Sequence, residues 1–517
     1  MKLGRDEALK EHILALSLGE PAAPRVASLF QAMANDHGAQ VTPSLRRAAV
    51  AALLLNARRR NSSSSDGSGS GGGGGSSPGG SGGGGVSIFN ASEPDTQSLL
   101  LSLHLAHRRQ ALEKKVVELT HVSKTGGSSL CLIAAARNGM RTEDVGSQNC
   151  VVRSFGDEPR WYDSAVMRDM LLRAQGLPLP TGQTAPAAAG QAVSGQQAAL
   201  GQTAAGQAAL GQFALGQAAT AAGAGGGVTV VADNGGVTPS WLTVKHHKLR
   251  GVRVASLGQS ASLRQEGGCR LPPANKPRLA AGPTAETGCR ERRDWLLARR
   301  YSMYANEYTA LGGRESFEGV QPCTSDMVTV LQVREPRARL ESHVKHFWRM
   351  ILEFCQSSLT VFVPLLKEVS TWTQLMVAPI NNYAIRSLLG EAVFNAPLGS
   401  VGPEHLEAAK GVALQYDVLM RLEDPPGSEL AMRMGLGWCT RWAVRAQVSN
   451  PLQDAGLPLG FDKAWAEEFA ALNTLDQELY NWISVLVSLD ELVYTAAMGA
   501  GWDDSRQQCR KLGYRYA

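Results

Sequence analysis

Apolar residues recur at helical spacing in two N-terminal stretches, "EALKEHILALSL" (7–18) and "SLRRAAVAALLLNARR" (44–59), so residues 1–61 are expected to be helical. Residues 62–85 break the pattern. Nearly every position there is Ser or Gly, the composition of a flexible linker. The next pattern is a short apolar run, Val116 to Val122, followed by "SSLCLIAAARNG" (128–139). In the second piece Leu130, Ile133 and Ala134 fall on one helical face, and Gly139 suits a C-terminal stop. The unit reads as strand, turn, helix. A second such unit starts at Met327, where a β-branched run to Val333 predicts a buried strand. Pro336 then fits the first turn of a helix whose Leu340, Val344, Phe347, Ile351 and Phe354 form a core stripe.

Between the two units, residues 178–227 are an Ala/Gly/Gln tract in which "GQ" recurs mostly every five or six residues. It lacks the large apolar side chains that a solenoid repeat needs, and its glycines argue against an Ala-rich helix. It is expected to be an insertion outside any core. The chemistry-bearing domain therefore spans 90–517, interrupted by that insertion.

Composition changes this picture little. The net charge of +5 suits anionic ligands without indicating nucleic-acid binding. Basic clusters stand at 58–60, 249–254 and 289–300; each reads as a solvated helix face unless an acidic polymer gives it a purpose. None of the eight cysteines forms a CxxC pair, which argues against a structural zinc site. Their even number permits disulfides, and Cys269 and Cys289 flank an apparent loop. Asn61 and Asn90 each begin an N-glycosylation pattern. No segment reaches the roughly 20 apolar residues of a membrane span. The run "AAVAALLL" (48–55) is too short, so the chain reads as soluble.

The turn of the first unit is "HVSKTGGSSL" (121–130). Unpaired N–H groups at a helix start, and the helix dipole, favour an anion there. Gly126 and Gly127 allow close backbone approach, Ser128 and Ser129 add hydroxyls, and Lys124 brings positive charge. A Walker loop needs its lysine after the glycines, so an NTPase is not indicated, and no apolar strand ending in Asp is evident to hold magnesium. The alternative is an ordinary Gly-rich turn.

In the second unit Arg334 ends the strand, and with Ser342 it is positioned to fork onto one anion if the turn folds back. Arg339 and Ser342 are three apart and so close on the helix surface. The alternative for Arg334 is a salt bridge to Glu335 or Glu341. Ligands of open α/β sheets sit beyond the carboxyl ends of the strands. Two anion sites at two such ends suggest one ligand with two phosphate-like groups.

Together these segments resemble a family. "HVSKTGGSSL" is similar to the 5′-phosphosulfate loop of the carbohydrate sulfotransferases related to heparan sulfate 2-O- and 6-O-sulfotransferases. "VREPRARLESHV" resembles that family's 3′-phosphate motif, and "LNTLDQELYNW" (472–482) its late helix. The resemblance covers about residues 113–155 and 295–355 and departs from the family in the long spacing between the motifs. It implies a three-layer α/β sandwich with a central parallel sheet, of the P-loop-like sulfotransferase type.

It also implies a PAPS-dependent sulfotransferase acting on a glycan or polysaccharide hydroxyl without a metal. Lys124, Thr125, Gly126, Gly127, Ser128 and Ser129 would hold the 5′-phosphosulfate, with Lys124 steadying the leaving phosphate. Arg334 and Ser342 would hold the 3′-phosphate. Family members supply a His or Glu base between the motifs, which here points to Glu307 in "RRYSMYANEYTAL". Its rivals are His246 and His247, then His343 and His346; the alternative for Glu307 is a surface helix position or a pair with Arg299 or Arg300. The family's usual site is the Golgi lumen, often behind a membrane anchor, and none is visible. Two other readings stay open: an ATP-dependent phosphotransferase using the same loop, and a non-catalytic glycan-binding or matrix protein.

Overall fold

The computed structural model describes residues 12–13, 41–65, 93–143, 150–152, 155, 162–174, 178, 288–306, 316–354, 369–439, 463–503, 505 and 509. Glu307, His246, His247, Cys269 and the Ala/Gly/Gln insertion beyond residue 178 lie outside them, as does the linker from residue 66. Residues 62–65, expected in the linker, belong instead to the end of a helix.

Four short strands form one parallel sheet. They are β1 (Val117–Thr120), β2 (Met303–Asn306), β3 (Val328–Val333) and β4 (Val418–Arg421), in the order β2-β1-β3-β4. The expected strands are β1 and β3, which are central and adjacent. In register, Val117 lies opposite both Met303 and Val328, and Val330 lies opposite Val418. All four strands therefore end on one edge.

The main helices in chain order are α1 (Pro43–Ser65), α2 (Glu93–Lys114), α3 (Gly127–Leu132), α4 (Cys289–Ala298) and α5 (Pro336–Phe354). They continue with α6 (Tyr383–Leu388), α7 (Pro403–Leu414), α8 (Pro425–Leu430) and α9 (Thr474–Gly499). A π-helical turn, Ile133–Arg137, prolongs α3, and Gly139 follows it at a φ of 64°, the left-handed stop its position suggested.

Strand alternation explains how the sheet is buried. Val328 and Val330 face one core with Val117, Leu119, Met303, Val418 and Met420; Leu331, Val333 and Leu419 face another. A parallel sheet has to be covered on both faces, and these two cores do so. The first is closed by α3 and its π turn through Leu130, Ile133 and Ala134. The second is closed by α7 and by α9, whose Leu479, Trp482, Ile483, Leu486, Leu489 and Val493 are buried in it. Helix α9 is long and apolar enough to cross a membrane by length and composition, yet 56 % of its apolar window is buried inside the protein. It serves here as a core helix.

Three disulfides join described cysteines: Cys131–Cys150, Cys289–Cys323 and Cys439–Cys509. Cys289 thus pairs across to the segment before β3 rather than closing a loop with Cys269. The first bridge ties α3 to Val151, which pairs with Ala305 beside β2.

Helix α1 is anchored by buried charge. Asp490 of α9 accepts from Arg46 Nη2 at 3.0 Å and from Arg47 Nη2 at 2.6 Å. Arg46 and Arg47 also donate to the carbonyls of Asp417 (2.8 Å) and Leu414 (2.7 Å). All three side chains are at least 98 % buried, so each needs the others. Removing the carboxylate leaves two guanidinium groups unpaired in the core. Asp490→Ala is expected to cost about 3–5 kcal/mol in equilibrium denaturation. A loss within about 1 kcal/mol, the range of surface pairs, would show that the triad does not anchor α1.

Candidate anion-binding site

The loop after β1 is built by its own backbone. His121 N donates to Asn306 O at 2.8 Å, carrying the ladder one residue past Thr120. The chain then turns, and Thr125 closes the turn twice, through its N (3.2 Å) and Oγ1 (2.7 Å) to Val122 O. Thr125 is buried and its hydroxyl is committed to this bond, so it shapes the loop with its side chain. Lys124 takes a φ of 70° and Gly126 a φ of 97°, both left-handed. That conformation costs a lysine about 1–2 kcal/mol and a glycine almost nothing.

Gly126 caps α3. Ser129 N and Leu130 N both donate to Gly126 O, at 2.9 and 3.1 Å. These are the first intrahelical bonds, so the N–H groups of Gly126 and Gly127 stand ahead of them, where a helix start presents donors to an anion. Gly127 lies under the His121 ring, which a Cβ there would overlap. Burial and then the Lys124 charge push the His121 imidazole down to about 3, so the ring is neutral. Lys124, Ser128 and Ser129 are half-buried at the loop's surface.

Arg334 leaves β3 on the same edge and reaches the loop. Its Nη1 donates to Lys124 O at 3.3 Å, and its Nε lies 3.8 Å from Glu423 Oε1. Neither Glu335 nor Glu341 is its partner. The Glu335 carboxylate caps α5 by accepting from Arg337 N (3.0 Å) and Ala338 N (2.6 Å), and Glu341 lies 3.4 Å from Arg337.

Arg339 does not share a surface with Ser342 as its spacing suggested. It is buried, stacks over Tyr383 at 4.7 Å and donates to Pro379 O and to His343 Nδ1. Ser342 is half-buried on α5 and shows no bond to Arg334 among the described residues. His343 is buried and held well below the usual imidazole range by desolvation and the nearby Arg339, so it is a packed neutral group.

The third motif proves to be a clamp. Asp476 accepts from Ala384 N (2.9 Å) and Ile385 N (3.0 Å), capping α6 from outside. Asn473 Oδ1 accepts from Asn382 N at 3.0 Å, while Asn382 Oδ1 accepts from Asp476 N at 3.1 Å. Four residues on the same helix further along, Tyr480 donates to Glu423 at 3.1 Å, so the motif reaches the sheet edge beside Arg334.

Strand β4 was not evident in the sequence, and neither were the carboxylates after it. The apolar run Val418–Met420 ends in Arg421, and Glu423 and Asp424 follow in the turn after it, so β4 itself does not end in Asp. Both are already engaged. Glu423 accepts from Glu335 N and Tyr480, and Asp424 from Arg421 and Gly427 N. Among the described residues no group of three or more His, Cys, Asp or Glu is arranged to hold a metal.

The space at this edge is small. A crevice of about 10 Å³ separates Thr125, Arg334, Arg339, Asp476 and Tyr480, room for about one water. A cavity of about 210 Å³ lies beside it, between Arg337, Leu340, Phe469, Asn473 and Gln477.

The basic cluster at 289–300 falls elsewhere. Arg293 pairs with Asp326 at 3.1 Å, just before β3, and Arg299 stacks 3.7 Å from the Trp295 ring, just before β2. These positions precede the strands, at the edge opposite Lys124. Arg292 is buried against Phe155. Of the cluster's arginines Arg292 alone is buried, while Arg290, Arg299 and Arg300 are exposed, and the cluster stands at the sheet edge away from the loop.

No family model, curated protein or solved structure matches the chain.

Glu491 of α9 lies beside Asp424, where one added Cβ at Gly427 would meet both carboxylates. Burial and the Asp424 charge push it up to about 7. A carboxyl whose folded value exceeds its unfolded value near 4.5 binds its proton more tightly when folded. Its contribution to stability therefore falls as pH rises from about 4.5 through about 7. Glu491→Gln is expected to match the wild type near pH 5 and to melt above it at pH 8. Parallel melting curves across that range would refute the shifted carboxyl.

Proposed function

We propose that this protein is a sulfotransferase that moves a sulfuryl group from PAPS to a hydroxyl of a glycan or polysaccharide. The observation that carries the reading is the Arg334 Nη1 bond to Lys124 O at 3.3 Å. It brings the two motifs that resemble the carbohydrate sulfotransferases onto one edge of one parallel sheet. That edge is where open α/β sheets bind ligands.

In this reading the Gly126 and Gly127 N–H groups, with Ser128 and Ser129, hold the 5′-phosphosulfate, and Lys124 neutralises charge on the departing phosphate oxygen. Thr125 sets the loop's shape. Arg334 and Ser342 hold the 3′-phosphate. The acceptor oxygen attacks sulfur, the bond from sulfur to the phosphate oxygen breaks, and the acceptor proton passes to a base. Glu307, which comes next in sequence after Asn306 at the end of β2, remains the candidate base on the resemblance alone. His343 is a poor base, being buried and bonded to Arg339. The reaction relies on positioning and electrostatics, which suits a site whose identified groups are donors and cations.

Three disulfides support work in an oxidising compartment, consistent with the Golgi lumen that the resemblance implies. A second reading, an ATP-dependent phosphotransferase, draws support from Glu423 and Asp424 after β4, acids of the kind that hold magnesium in NTPases.

Thermal melting with 3′-phosphoadenosine 5′-phosphate tests the first reading, because a ligand of the native state raises its melting temperature. The wild type is expected to shift upward without magnesium, and Lys124→Ala and Arg334→Ala to lose most of the shift. A shift with ATP and magnesium alone would favour the phosphotransferase. No shift with either would overturn both.

A further inference from the structure

Gln332 is a polar side chain in a place where none is needed for folding. It is the penultimate residue of β3 and is fully buried, and among the described residues neither its Oε1 nor its Nε2 has a hydrogen-bond partner. A buried carboxamide left in this state destabilises the fold, because its lost hydration is not replaced. An apolar residue of similar size would avoid that cost. The alternation of β3 puts Gln332 on the same face as Val328 and Val330, the face covered by α3. Its amide ends against the anion loop. A Cβ added to Gly126 would stand 3.4 Å from Gln332 Nε2 and 3.5 Å from Oε1. The Leu422 Cδ1 methyl would be nearer still, at 2.9 Å, so the carboxamide packs beside Leu422 against the Gly126 backbone of the turn that presents the loop's N–H groups.

The chemistry of this position is informative. β3 is hydrogen-bonded directly to β1, the strand that delivers the loop. In phosphate loops that use magnesium, an aspartate on a strand end holds the ion. Here the polar side chain at the end of the adjoining strand is neutral, offers two donor hydrogens and one acceptor, and cannot neutralise a cation.

We propose that Gln332 is a specificity-determining residue of the Lys124 loop, its Nε2 donating to the bound anion where a carboxylate would recruit a divalent cation. This rests on the proposed anion site and adds the reason that site accepts its ligand metal-free. Gly126 has two roles in this account: its left-handed φ caps α3, and its missing side chain leaves the carboxamide facing the loop.

Calorimetric titration of the full chain with 3′-phosphoadenosine 5′-phosphate, with and without magnesium, tests the proposal. Gln332→Met keeps size and removes both polar atoms. It is expected to melt at or above the wild-type temperature, because an unsatisfied buried group is gone, yet to bind the bisphosphate about tenfold more weakly, as the loss of one hydrogen bond to a charged group implies. A purely structural glutamine would alter melting and leave the dissociation constant alone. Gln332→Glu is expected to lose magnesium-free binding and to recover part of it when magnesium is added. Unchanged affinity in Gln332→Met overturns the proposal while leaving the anion site standing. Absence of binding in the wild type overturns the proposed function first and this inference with it.

Discussion

A parallel sheet has no face that tolerates water, and this requirement organises the whole chain. Among the described residues the sheet has four strands of four to six residues, which offer little area of their own. Helices from distant parts of the sequence must therefore seal it. Helix α9 does most of this on one face, and its polar side chains are used rather than merely tolerated. Asp490 fixes α1 through two arginines, and Asp476 and Asn473 fix the turn into α6. Tyr480 reaches across to Glu423 at the sheet's carboxyl edge. One covering helix thus links the N-terminal helix, the clamp around residues 380–386 and the edge where the loop stands.

The same requirement accounts for the loop. Because all four strands are parallel, their ends share one edge, and the segments leaving β1, β3 and β4 meet there. Lys124, Arg334 and Glu423 come together for this topological reason, although they are far apart in sequence. The loop itself is held by local bonds: Thr125 onto Val122, Ser129 and Leu130 onto Gly126, and the His121 ring over Gly127. Burial, and then the Lys124 charge, keep His121 neutral, which avoids a second positive charge near Lys124.

What could be read in the sequence was whatever had a long or repeated pattern. β1 and β3 showed as apolar runs, α5 as a stripe of Leu340, Val344 and Phe347, and the loop as lysine, glycines and hydroxyls between a strand and a helix. β2 and β4 did not show, because four residues carry too little periodicity alone and neither is followed by the lysine–glycine turn that marked the equally short β1. The buried arginines were hidden for a related reason. Arg292 stands in a cluster that reads as a solvated face, Arg339 was expected on a helix surface, and nothing marks Arg46 and Arg47 as buried until their carboxylate and carbonyl partners are known. Gln332 was hidden inside an apolar run, where only its missing hydrogen-bond partners draw notice. Cysteine pairing depended on tertiary geometry, and Cys289 found Cys323.

The central claim is that the edge formed by Lys124 and Arg334 transfers a sulfuryl group. The most direct test follows label from donor to acceptor. Full-length protein would be incubated with PAPS carrying radioactive sulfur and a mixture of desulfated polysaccharides, alongside a parallel reaction with γ-labelled ATP and magnesium. The account predicts sulfur label in polymer, none with Lys124→Ala, and no phosphate label in either. Phosphate label in polymer from ATP, with no sulfur label from PAPS, would contradict it.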